Sequence, residues 1–164
     1  MTQNLVEDAG RFGKRCPGGE ELLGYIDRYQ EILNKAPAVL VNFDLWENNL
    51  FYGKDANGSP RLWMIDPERG FWGDPIADFV CLDFMHMDLG EKAGVFEAYN
   101  AAAEKPLEVS PETRVRYYIM LAYLGVIMYT ERYSRYHPGN TGWWRNTLAG
   151  SMLYKKAFGA LKAR

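Results

Sequence analysis

The sequence predicts an α+β chain, mostly α, in which one small β-hairpin carries the polar groups of interest. Three observations point there. Apolar residues recur at helical spacing over most of the chain, as in Leu22, Leu23, Ile26, Tyr29, Ile32 and Leu33. Only residues 39–65 break into short apolar runs separated by reversal signals. Those runs stop at acids: Val39–Val41 leads to Asp44, and Leu62–Ile65 ends on Asp66.

Residues 1–19 mix Gly, Lys, Arg and Pro and read as irregular or only partly helical. A helix follows from Glu20 and closes before Pro37. The run Ala38–Val41 is the first strand segment. After a polar loop, Leu50–Tyr52 and Leu62–Ile65 pair as a hairpin around Lys54-Asp55-Ala56-Asn57-Gly58-Ser59-Pro60, where Asn-Gly and Ser-Pro mark the turn. Asp74-Pro75 starts the next helix, with Asp as N-cap and Pro at the first helical position, and Ile76, Phe79, Val80 and Phe84 on its buried face. His86, set among methionines, reads as a packing residue. Leu89–Lys105 forms a helix ended by Pro106, and Ser110-Pro111 starts a long one running towards Tyr136. Its apolar stretch, Tyr117–Met128, is about a dozen residues and short of the ~20 that span a bilayer, so it reads as a central core helix. Trp143–Lys162 is the last helix, its basic end (Lys155, Lys156, Lys162, Arg164) matching the helix dipole.

At 164 residues the chain reads as a single domain, 1–164, with room for a true core. A net charge of -2 argues against nucleic acid or an anionic membrane as partner, because both attract a basic face. Cys16 and Cys81 form no C-x-x-C pair and read as buried thiols of a reduced, cytoplasmic protein. The N-terminus lacks the basic start and apolar run of a signal peptide. Aromatic residues, at 15%, favour a densely packed interior or an aromatic-lined pocket.

The hairpin brings its outer ends to one side, so Asn49, which opens the first strand, approaches Asp66, which closes the second, with Asp44 just upstream. A hard divalent cation takes oxygen ligands, and Asn49 and Asp66 suit that task. An acid beside the metal and not consumed by it can orient and deprotonate a hydroxyl, a role that fits Asp44.

Asp44-Leu45-Trp46-Glu47-Asn48-Asn49 resembles the catalytic loop H-x-D-L-x-x-x-N of the aminoglycoside phosphotransferase and choline kinase-like family. Met64-Ile65-Asp66-Pro67-Glu68 resembles its metal-binding segment, and Gly73-Asp74-Pro75-Ile76-Ala77-Asp78-Phe79 its G-D-P-x-x-D-[LF] segment. The resemblance implies a protein kinase-like C-terminal lobe that helps transfer the γ-phosphoryl group of ATP or GTP to a hydroxyl of a small molecule of aminoglycoside, sugar or amino-alcohol type. It makes Asp44 the catalytic base and Asn49 and Asp66 the Mg2+ ligands. Asp78 becomes the brace of the catalytic loop. Asn42 stands where the family has His, and supports the loop with a donor and an acceptor of its own. The helices after the metal segment would form the acceptor pocket, which makes Asp83, Asp88, Glu91, Glu131, Trp143 and Trp144 its candidates.

The 38 residues before Val39 hold no strand-loop-strand pattern for a nucleotide clamp. The resemblance therefore implies a missing N-terminal lobe, with a partner or self-association covering the surface near Asn49 and Asp66. The alternative is a non-catalytic, truncated or decayed kinase-like module that binds a ligand or partner.

Overall fold

The computed structural model describes residues 1–82 and 86–163, the side chain of Ser134 excepted. The chain divides into two compact units, one made of Met1–Lys35 with Arg114–Arg164 and the other of Ala36–Thr113. It is mostly helical, with two small two-stranded antiparallel sheets.

The first unit is all helix. It contains α1 (Thr2–Arg11), α2 (Gly19–Arg28), α3 (Gln30–Asn34), most of α6 (Pro111–Arg135) and α7 (Thr141–Lys162). The start, expected to be irregular or only partly helical, is helical over Thr2–Arg11: Gln3 and Glu7, and Arg11 and Asp8, pair along α1 and support a segment in which Gly10 disfavours a helix. The single helix expected from Glu20 is broken at Tyr29, whose backbone leaves helical geometry. Ser110 begins α6 as expected, its Oγ accepting from the Thr113 amide. For α7 the cap lies upstream of the expected start: Asn140 Oδ1 accepts from the Trp143 amide at 2.7 Å.

Helix α6 is buried along much of its length, from Val115 through Val126, so it forms the spine of this unit. Among the described residues no helix is long and apolar enough to cross a membrane. Leu153, Ala157, Phe158 and Leu161 bury the facing side of α7, and Tyr25 of α2 stacks on Phe158 with ring centroids 5.4 Å apart. Of the basic residues at the end of α7, Lys162 binds Glu21 at 2.9 Å, and Arg164 lies outside the described residues.

The crossing of α6 and α7 depends on two glycines. A Cβ on Gly125 would lie 2.7 Å from the Gly150 carbonyl oxygen and 2.7 Å from the Tyr154 amide nitrogen. Backbone atoms inside a packed helix pair cannot step aside. Gly125→Ala is therefore expected to lower stability by about 1–3 kcal/mol, read as a fall in thermal midpoint by circular dichroism. Gly24→Ala in α2, where an added Cβ meets nothing within 4 Å, is expected to be neutral or slightly stabilising.

The second unit holds the strands. β2 (Leu50–Lys54) and β3 (Pro60–Met64) form the expected hairpin, in register Leu50↔Met64, Tyr52↔Leu62 and Lys54↔Pro60. Asp55 organises the turn by accepting from the amides of Asn57 and Ser59, while Gly58 supplies the left-handed residue at φ 79°. β1 (Val39–Val41) pairs not with this hairpin but with β4 (Phe71–Gly73), which the sequence did not suggest.

α4 (Ile76–Cys81) begins one residue later than expected, with Pro75 as N-cap and Asp74 Oδ1 accepting from the Ile76 amide. It buries Ile76, Ala77, Phe79, Val80 and Cys81. Phe79 stacks on Phe96 of α5 (Ala93–Ala102) at 4.2 Å, with Tyr99 edge-on to it. The expected Leu89–Lys105 helix is thus shorter, opening as a 3₁₀ turn, Leu89–Lys92, and ending before Pro106. His86 is exposed rather than packed, while Asp83 and Phe84 lie outside the described residues.

Candidate functional site

The loop between β1 and β2 is held from below by α4. Asp78 Oδ1 accepts from the amides of Asn42 at 2.9 Å and Phe43 at 2.8 Å. The Cys81 thiol donates to the Phe43 carbonyl at 3.2 Å. Both backbone groups of Phe43 are therefore tied to one helix, and its ring is buried with Phe71 edge-on at 5.4 Å. This anchorage holds Phe43 at φ 56°, a left-handed conformation that costs a bulky residue about 1–3 kcal/mol. Asn42 closes the turn from the other side, its Oδ1 accepting from the Asp44 amide at 3.0 Å.

Asp44 emerges from this turn half-buried. Asn49, itself buried in the 3₁₀ turn Glu47–Asn49, donates through Nδ2 to the Asp44 carbonyl and to Asp44 Oδ2, both at 3.0 Å. Among the described hydrogen bonds none uses Asn49 Oδ1. The Ile65 amide donates to the Asn49 carbonyl at 3.1 Å, which clips the end of the loop to the end of β3.

One residue beyond, Asp66 takes φ 55°, in the left-handed region like Phe43. Strained backbone of this kind gathers at functional sites. A tight turn follows, the Gly70 amide donating to the Pro67 carbonyl at 2.9 Å. It carries Arg69 back onto Asp44, where Nη1 meets Oδ1 at 3.2 Å with both side chains largely shielded from solvent.

The outcome is a cluster of three carboxylates. Oxygens of Asp44, Asp66 and Glu68 lie within 4.8 Å of one another, with Asp66 and Glu68 exposed. Burial pushes the Asp44 carboxyl above its ordinary value, the Arg69 guanidinium and the Asn49 hydrogen bond pull it back, and Asp66 and Glu68 push it up again. Asp78 is also raised, because burial outweighs its two amide donors. Burial, with the Asp44 charge nearby, pushes the Cys81 thiol up to about 12, so it is a neutral donor under the loop.

The site therefore brings together Asn42, Asp44, Asn49, Asp66 and Asp78, all within the second unit. Glu68 and Arg69 were not singled out from the sequence as site residues. A turn-forming Pro-x-x-Gly after an acid was the available signal.

The acceptor candidates fare differently. Asp88 and Glu91 form a capping box at the 3₁₀ turn, Asp88 Oδ1 accepting from the Gly90 amide and Glu91 Oε2 from the Asp88 amide. Asp83 lies outside the described residues. Glu131, Trp143 and Trp144 belong to the first unit. There Trp143 and Trp144 meet edge-on, and Trp143 shares with Tyr129 and Tyr133 the guanidinium of Arg132, while Glu131 approaches Arg135 at 4.0 Å.

The donor set suits a hard cation: carboxylate oxygens of Asp44, Asp66 and Glu68 converge in one place. No family model, curated protein or solved structure matches the chain.

Proposed function

We propose that this chain is the acceptor- and metal-binding part of a small-molecule phosphotransferase with a protein kinase-like C-terminal lobe, using ATP or GTP as donor. The observation that carries the reading is the convergence of Asp44, Asp66 and Glu68 on a loop that Asp78 holds by two amides. Mg2+, held by Asp66 and Glu68 with Asn49 and by the nucleotide's phosphates, would neutralise charge on the transferring group. The chain's own residues do the positioning. Asp44 accepts the proton of the attacking hydroxyl, and its raised carboxyl value brings it closer to the pH at which a base is effective. Asn49 fixes the Asp44 rotamer through Nδ2, and Asp78 fixes the loop.

Calorimetric titration of Mg-ATP and Mg-GTP tests this reading. The expected result is binding that requires Mg2+ and weakens at least ~10-fold in Asp66→Asn, a loss of about 1.4 kcal/mol. A folded chain that binds neither nucleotide would remove the reading.

The Arg69–Asp44 ion pair supports a second reading, a non-catalytic kinase-like module. In it Asp44 serves as the anchor of an arginine and the fold outlasts the chemistry.

A further inference from the structure

The β2–β3 hairpin carries large apolar side chains that are exposed on both of its faces, one more than the other. Strand alternation puts Leu50, Tyr52 and Lys54 on one face with their partners Met64, Leu62 and Pro60. Tyr52 is 78% exposed, Met64 60% and Leu62 59%. The opposite face is less exposed, with Phe51 at 52% and Trp63 at 44%, and the Trp63 ring lies across Gly53, 3.0 Å from where its Cβ would stand. Large apolar side chains on a sheet face, left to water in a row, mark an interaction surface.

The charges along the same hairpin specify what covers it. On this face its turn end carries Lys54, exposed and without an ionic partner among the described residues, whereas Arg61, paired with Gly53, belongs to the other face and reaches Asp55 at 3.5 Å. Its open end carries Asp66 and Glu68, both exposed, with Glu47 in the adjoining turn. A surface that is cationic at one end, anionic at the other and apolar between is complementary to itself once turned by a two-fold rotation.

We infer that a second copy of this chain docks on this face, the two hairpins stacked antiparallel, with Lys54 of each copy over the Asp66–Glu68 end of the other. Five residues at about 3.3 Å each make the hairpin about 16 Å long, so the cationic and anionic ends superpose when the apolar stripes do. Tyr52, Leu62 and Met64 supply about half of the ~800 Å2 that a standard interface takes from each partner, which makes the pair a weak and reversible one. The inference does not require the chemistry proposed above, but Lys54 over Asp66 and Glu68 would compete with a cation held there.

Sedimentation equilibrium of the full chain between about 1 and 200 µM tests it. The expected record is a monomer–dimer equilibrium that Leu62→Ser and Tyr52→Ser each weaken ~10-fold or more. Lys54→Glu is expected to weaken it by roughly 3- to 10-fold, and Glu68→Lys added to Lys54→Glu to restore much of the loss, because the two ends then exchange sign together. A monomer throughout the range overturns the inference, as does a dimer indifferent to the Leu62 and Tyr52 substitutions. So does a chain that stays monomeric until a different protein covers the face. Far-ultraviolet circular dichroism confirms that each variant is folded, and these exposed positions make that the expected result.

Discussion

Asp78→Ala is expected to lower stability by about 2–4 kcal/mol, although no charge pair is broken. The carboxylate satisfies the amides of Asn42 and Phe43 together, and each buried donor left unsatisfied costs about 1–3 kcal/mol. One of them belongs to a residue already held at φ 56°, so the loop also loses what keeps it strained. Asp78→Asn should be far milder, since its Oδ1 still accepts. The pH dependence separates the two contributions. The Asp78 carboxyl lies above its ordinary value when the chain is folded, so its titration favours the folded state most at low pH. That contribution fades as the pH rises from the ordinary carboxyl range through the raised folded value. Relative to Asp78→Asn, the wild type therefore gains stability on acidification across this window and loses it towards neutrality. Urea denaturation of wild type, Asp78→Ala and Asp78→Asn at several pH values from about 4 to 7 reads both effects. An alanine variant as stable as wild type would mean that the loop is held by something other than Asp78.

Much of this site was legible because its parts are local. Asp44 and Asn49 are five residues apart, the Asn-Gly turn sets the hairpin, and Asp74-Pro75 announces α4 within one residue. What escaped was non-local or too short for a period to show. β4 is three residues long and pairs with β1 across a gap of about thirty, so Phe71-Trp72-Gly73 carries no alternation to read. Arg69 reaches Asp44 across twenty-five residues, and only the turn at Pro67–Gly70 brings it back. α1 was legible only as partial helix because its apolar residues are few and Gly10 speaks against a helix, a local preference that packing on α2 overrides. Asp88 and Glu91 looked like free acids of a pocket because their spacing, a capping box, serves a 3₁₀ turn as readily as an α-helix.

Asp44→Asn is expected to reduce phosphoryl transfer to a hydroxyl acceptor by ~100-fold or more, the usual contribution of a positioned base. Arg69 and Asn49 Nδ2 use different oxygens of Asp44, so the substitution keeps an acceptor for only one of them. With Asp66 and Glu68 untouched, Mg-nucleotide binding should change only a few-fold. Arg69→Met is the informative companion. It removes the cation facing Asp44 and leaves the carboxylate with Asn49 alone, at a cost in stability, because the shielded pair then loses one partner. If Asp44 is the base, Arg69→Met retains measurable transfer while Asp44→Asn does not. If Asp44 is only an anchor for the arginine, the two substitutions destabilise the chain alike and neither changes a rate, since there is none to change. Steady-state transfer assays beside denaturation curves for the two single variants and the double variant distinguish the cases. The double-variant cycle reports the Arg69–Asp44 coupling in stability, and the assay reports whether that carboxylate also touches the reacting hydroxyl.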